Sequence, residues 1–325
     1  MSPTFETGSA TRPPSGEQFE LCCGSARACV VEVGGGIRSF ELDGAPVLLG
    51  YRTEEMCTGG KGQVLAPWPN RLDHGHFTFD GRAATAALDE PERRNAIHGL
   101  VRWVQWRGVE QQPAKVRLAT ELEPQPGYPW RLALEVGYTL SQPAGGGARL
   151  DVVASAENLS GRRAPFGIGF HPYVDAGEGG ADLCSLELKA SSHLVTNERG
   201  LPIGAEPVVR GGHLDFTGAR LLEGIELDDC FSGLAPASVP GCDPGWWAAH
   251  VTRGDGSVVT VSAGPMLPYV MCFTADTLPE KDRRRGIALE PMSCPPNALA
   301  TGEALVVLEP GGPSFEARWS ITVTP

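Results

Sequence analysis

No stretch of 18 apolar residues occurs, so no segment reads as a membrane-spanning helix. Positive charge is scarce: 27 Lys and Arg stand against 39 Asp and Glu, for a net charge of −12. Nucleic acid and anionic membrane surfaces both reward Lys/Arg clusters, so neither is expected as a partner. A neutral small molecule is left open. The nine cysteines, an odd number, contain no CxxC pair, so neither a zinc knuckle nor a redox pair is read. The opening MSPTFETGSATRPPSGEQ lacks a basic head and an apolar core, so it reads as no secretory signal. Residues 1–18 are expected to be a disordered lead-in, the thiols reduced, and the compartment the cytoplasm. Neither GxSxG nor HExxH occurs, and Gly34–Gly36 lacks the spacing and following helix of a dinucleotide loop, leaving a turn or bulge.

Long helices are also disfavoured. Gly and Pro number 42 and 28, too many breakers for a mainly helical chain of 325 residues. What is present alternates with period two. Leu132, Leu134, Val136, Tyr138 and Leu140 lie on one face, opposed by Arg131, Glu135 and Thr139. Leu150, Val152 and Ala154 repeat the pattern, as do Phe315, Ala317, Trp319, Ile321 and Val323. Such runs are half-buried antiparallel strands. Ala144–Gly147 reads as a hairpin connection between two of them. Ala181–Arg199, long and free of Gly and Pro, is readable as strand or helix. With no linker long enough to separate domains, residues 19–325 are expected to form a single all-β domain of packed sheets.

Five segments carry chemistry in unusual surroundings. In Arg285–Ala298, the apolar run Ile287–Leu289 ends on Glu290, and Pro291, Pro295 and Pro296 follow. The expected picture is a buried strand that delivers one carboxylate to a rim and stops. The plain reading pairs Glu290 with one of Arg283–Arg285; the other gives it acid–base work. Arg71 follows a Pro-Asn turn and suits hydroxyls or a carboxylate. His98 sits between Ile97 and Gly99, as a core histidine or a ligand. His171 stands between Phe170 and Pro172-Tyr173, beside aromatic faces. Asp228 and Asp229 lie between apolar residues and could meet a cation or hydroxyl pairs. No metal site is read, since His74 and His76 flank a turn with no third ligand near in sequence.

Taken in order, these segments resemble the aldose 1-epimerase (mutarotase) family, from about Glu20 to Thr324. The matching elements are NRLDHGHF from Asn70, His98-Gly99, His171, Asp228 to Phe231, and Gly286 to Pro291. The HPY at His171 and the EPMSCPPNA ending resemble a bacterial branch of unassigned sugar specificity. Met271–Thr274 stands where many relatives carry a Gln-containing element, so galactose is not implied. The resemblance implies a large antiparallel β-sandwich of galactose mutarotase type and interconversion of aldose anomers without a cofactor. It implies Glu290 as base and His171 as acid, the Glu290 carboxylate favouring the imidazolium. Arg71, His98 and Asp228 would bind substrate, with Asp229 competing for the last place. Trp68, Trp103 and Tyr173 are candidates to pack a sugar face. The alternatives are a hexose-phosphate 1-epimerase, for which Arg93, Arg94 and Arg102 could supply cations, and a non-catalytic carbohydrate-binding protein.

Overall fold

The computed structural model describes residues 12–143 and 145–325. Two large antiparallel sheets dominate. The first has nine strands in the order Arg107–Gln112, Lys115–Leu122, Leu132–Ser141, Ala148–Asn158, Phe315–Thr324, Val258–Ala263, Trp247–Thr252, Ser185–Leu188 and Arg220–Leu221. The second runs Pro202–Pro207, Ala190–Thr196, Asp228–Leu234, Tyr269–Phe273, Gly286–Met292, Gly169–Phe170 and Val64–Leu65, with Tyr173–Asp175 also paired on Gly286–Met292. A four-stranded sheet over Gln18–Pro46 and three two-stranded ribbons complete the fold.

The alternation read from sequence is the alternation observed. Leu132 to Leu140 and Phe315 to Val323 turn their apolar members into the core. The two large sheets meet there: Phe170 of one and Trp319 of the other lie with ring centroids 5.1 Å apart. The ambiguous stretch Ala181–Arg199 is mainly extended, because Ser185–Leu188 and Ala190–Thr196 each find ladder partners. Its only helical piece is one 3-10 turn at Ala181–Leu183. The segment 1–11 of the expected lead-in, and Ala144 in the hairpin, lie outside the described residues. At its inner end the lead-in is held, as Val33 N–H donates to Ser15 O (2.9 Å).

The strand Gly286–Met292 positions the chemistry. All seven residues are buried, with ladders on both sides. Its alternation divides the environment. Ile287 and Leu289 join the main core, whereas Ala288 and Met292 belong to two small clusters on the opposite face. Glu290 shares that second face. The strand does not stop at Glu290, as its prolines suggested; Pro291 is in register with Val270 and Met292 with Tyr269. Leu289 N–H donates to Pro172 O (3.2 Å), so Pro291 turns its missing N–H to the same side. The register on this edge, Met292 with Gly169 and Ala288 with Tyr173, sets Pro291 opposite Phe170, so the proline leaves one donor out of the ladder.

Candidate active site

On this second face lies a cavity of about 380 Å³. Glu290, His171, His98, Arg71 and Asp228 all line it, although they come from five separate segments. The strand Asp228–Leu234 separates the two aspartates. Asp228 is in register with Phe273, which also faces the cavity, and Asp229 with Cys272 of the main core. Asp228 is therefore the one that meets the cavity.

Glu290 Oε1 lies 3.4 Å from His171 Nε2. Both side chains are buried, and Glu290 Oε2 and His171 Nδ1 have no hydrogen-bond partner. The plain ion pair expected for Glu290 does not form; Arg284 instead donates to Asp276 (2.7 Å) and Asp182 (2.8 Å). Burial pushes the Glu290 carboxyl well above the usual range, and the nearby Asp228 carboxylate adds to this while Arg71 opposes it. Burial pushes His171 down to about 3, helped by the Arg102 charge. This corrects the expectation that Glu290 holds His171 as an imidazolium. With no hydrogen bond to stabilise either ion, desolvation outweighs their attraction, and the neutral acid and neutral imidazole are favoured.

The imidazole is held from several sides. Tyr173 stacks on the His171 ring (4.9 Å between centroids, 15° between planes), and its hydroxyl donates to Gly59 O (2.9 Å). A Cβ on Gly60, at φ +74°, would meet His171 Cδ2 at 2.6 Å, so only glycine fits there. Gly62 N–H donates to His171 O (2.8 Å), and His171 N–H to Gln63 O (3.1 Å). The same loop is anchored by Lys61 Nζ, buried 2.7 Å from Asp282 Oδ2. His98 meets the His171 ring edge-on at 5.2 Å. Asn70 N–H donates to His98 Nδ1 (3.2 Å), which leaves the neutral ring its proton on Nε2. Burial, with His171, Arg102 and Arg71 close by, lowers His98 well below its ordinary value, so it is a neutral donor. It is held at φ +64°, a strained geometry for a non-glycine residue.

Arg71 is fixed by a residue sequence reasoning passed over. Its Nε and Nη2 fork onto Glu90 (3.0 to 3.2 Å), leaving Nη1 3.8 Å from Asp228 Oδ2. Glu90 lies in LDEPERRN, a run of charged residues; the pairing of Asn95–Ile97 with Arg71–Asp73 is what brings it to Arg71. Arg93 and Arg102 also line the cavity, but Arg94 does not. Of the aromatic candidates, Tyr173 alone reaches it. Trp68 is core and Trp103 is 53% exposed on the surface. Ile97, Phe273 and Leu278 supply the other apolar walls. Among the described residues, no group of three or more His, Cys, Asp and Glu is arranged to hold a metal ion, and no helix is long and apolar enough to cross a membrane.

Comparison with known proteins follows the same outline. A family model described as aldose 1-epimerase matches residues 17–316. The Escherichia coli protein YihR is 30% identical over 299 residues, covering 92% of this chain and 91% of its own. Among solved structures, the GalM/aldose epimerase homologue from C. elegans superposes with a TM-score of 0.81 at 17% identity, covering 95% of this chain and 98% of its own. A galactose 1-epimerase from Lactobacillus acidophilus gives 0.73 at 18%, covering 92% and 91%. These structures share the galactose mutarotase-like antiparallel β fold.

Proposed function

Because the chain belongs to the aldose 1-epimerase family, we propose that it interconverts the α and β anomers of an aldose, with Glu290 and His171 as the acid–base pair. The single observation that supports this most is the pair itself: a carboxyl and an imidazole, 3.4 Å apart and buried, on one cavity wall. Mutarotation must remove the proton of the anomeric hydroxyl and deliver one to the ring oxygen. The ring then opens to the aldehyde, the bond between C1 and C2 rotates, and the hydroxyl closes on the other face. Each direction needs one base and one acid, and a pair that carries one proton between them supplies both.

Burial favours the proton on Glu290 with His171 neutral. The ion pair, with the proton on His171, has the same net charge. One proton transfer therefore exchanges the roles, and ring closure restores the starting state without a cofactor. His98 would donate from Nε2 to a sugar oxygen, Arg71 from Nη1, and Asp228 would accept from ring hydroxyls. The charges of Arg71, Arg93 and Arg102 are matched by Glu90, Glu92 and Asp228, and burial favours a neutral Glu290. A cavity with no net charge suits a neutral aldose.

A second reading, a hexose-phosphate 1-epimerase, has one observation in its favour. The Arg93 guanidinium sits at the cavity without a side-chain hydrogen bond, held only by two 3.9 Å ionic contacts, to Glu90 and Asp228. NMR saturation exchange between anomers, run on aldoses and their 6-phosphates, separates the two. Accelerated exchange, abolished in both Glu290→Gln and His171→Asn, is the expected result. Full activity in both variants would remove the assignment.

A further inference from the structure

We propose that Glu90 sets the charge of the sugar this site accepts. The assignment rests on the cavity being the sugar site.

First, Glu90 is built in. Its side chain is 20% exposed, its Oε1 and Oε2 both accept from the Arg71 fork, and Oε2 also accepts from Asn95 Nδ2 (2.9 Å). Asn95 is itself fully buried and is held by Arg199, whose Nη2 donates to Asn95 Oδ1 (3.0 Å) and whose Nε donates to Arg93 O (2.8 Å). Gly200, at φ +71°, backs the guanidinium, since a Cβ there would lie 2.6 Å from Arg71 Nη1. The fork is thus fixed by groups that do not face the cavity.

Second, Glu90 reaches two cations. Besides Arg71 it lies 3.9 Å from Arg93 Nη1. Asp228 touches the same two arginines, but at 3.8 and 3.9 Å, with a side chain 45% exposed and no hydrogen bond to either. Coulomb attraction at such contacts weakens with hydration, so Glu90 cancels more of the cationic field than Asp228 does.

Third, the consequence is selective. Arg71 keeps its Nη1 donor toward the cavity while its charge is balanced, an arrangement that holds hydroxyl oxygens and discounts anions. Removing the Glu90 charge leaves Arg71, Arg93 and Arg102 against Asp228 and the exposed Glu92. The pocket then turns cationic without losing a donor.

The test uses inorganic sulfate as an anion probe, titrated by NMR at low ionic strength into the full chain. Glu90→Gln, which keeps an acceptor for the fork, and Glu90→Ala are each expected to bind sulfate at least tenfold more tightly than the parent. The gain should shrink with added salt and vanish in the double variant Glu90→Gln/Arg71→Gln. The ratio of kcat/KM for glucuronate over glucose should rise by a similar factor in the single variants. Equal sulfate affinity in the parent and both folded single variants, or a gain that survives loss of Arg71, overturns the proposal. Sulfate binding does not depend on catalysis. A protein that gains sulfate affinity yet epimerises no sugar would refute the epimerase reading and leave Glu90's role standing.

Discussion

Gly60→Ala gives a sharp test of how the His171 ring is held. A Cβ at this position would lie 2.6 Å from Cδ2 of the imidazole, and ordinary contact begins near 3.4 Å, so about 0.8 Å must be found. The loop cannot retreat freely. Lys61, the next residue, is anchored to Asp282, and Gly62 donates to the His171 carbonyl. The ring cannot slide toward Tyr173, which stacks on it. The imidazole therefore swings away from Glu290 or from the cavity. Misplacing a reacting group by ~1 Å costs on the order of 10²-fold in rate, so kcat for anomer exchange should fall by roughly 10- to 100-fold with little change in KM. The backbone adds a separate penalty, since alanine at φ +74° costs about 1–2 kcal/mol. Gly81→Ala supplies the control: its φ is also +74°, yet nothing lies within 4 Å of its Cβ. Both variants should lose similar stability in urea, and only Gly60→Ala should lose turnover by polarimetry. A folded Gly60→Ala with the parent's kcat would refute the idea that ring placement matters.

Other outcomes follow from the same geometry. Glu290→Gln should lower kcat by roughly 10²- to 10⁴-fold. Its effect on stability depends on pH: the raised folded pKa means the parent loses stability as pH climbs above 4.5 through the folded value, so the variant's relative denaturation midpoint should improve from pH 4.5 to pH 8. His171 has the opposite sign. Its pKa falls from 6.5 to about 3 on folding, so the parent loses stability as pH drops through that window, and His171→Asn should lose less between pH 7 and pH 4. Lys61→Met leaves Asp282 buried without its partner and should destabilise by about 3–5 kcal/mol in urea titration, much of it recovered in Lys61→Met/Asp282→Leu.

Much of this was legible in the chain itself, for physical reasons. Period-two strands such as Leu132–Ser141 announce their buried face because one side meets core and the other water. The five candidate residues were chosen through motif order, and the fold brings all five to one cavity. What could not be read were relations across space. Glu90 looks like one more charge in a polar run until the pairing of Asn95–Ile97 with Arg71–Asp73 brings it to Arg71. Gly60 and the Lys61–Asp282 pair gain meaning only from segments more than a hundred residues away. The protonation of Glu290 and His171 also escaped, because adjacency in a motif says nothing about how completely water is removed. Trp103 misled in the other direction, since an aromatic near a histidine motif carries no sign of which way its loop faces.

The groups around the cavity rest on two unlike supports. Glu290 stands on a strand with neighbours on both edges and a packed layer beneath, whereas Arg71 and His98 stand on a short ribbon, with Glu90 in the turn that precedes its second strand. Altering the first would unsettle the whole body; altering the second need disturb little beyond a handful of loops. Descendants of this chain could thus drift toward new ligands at the ribbon while the carboxyl on the central strand stays where it is.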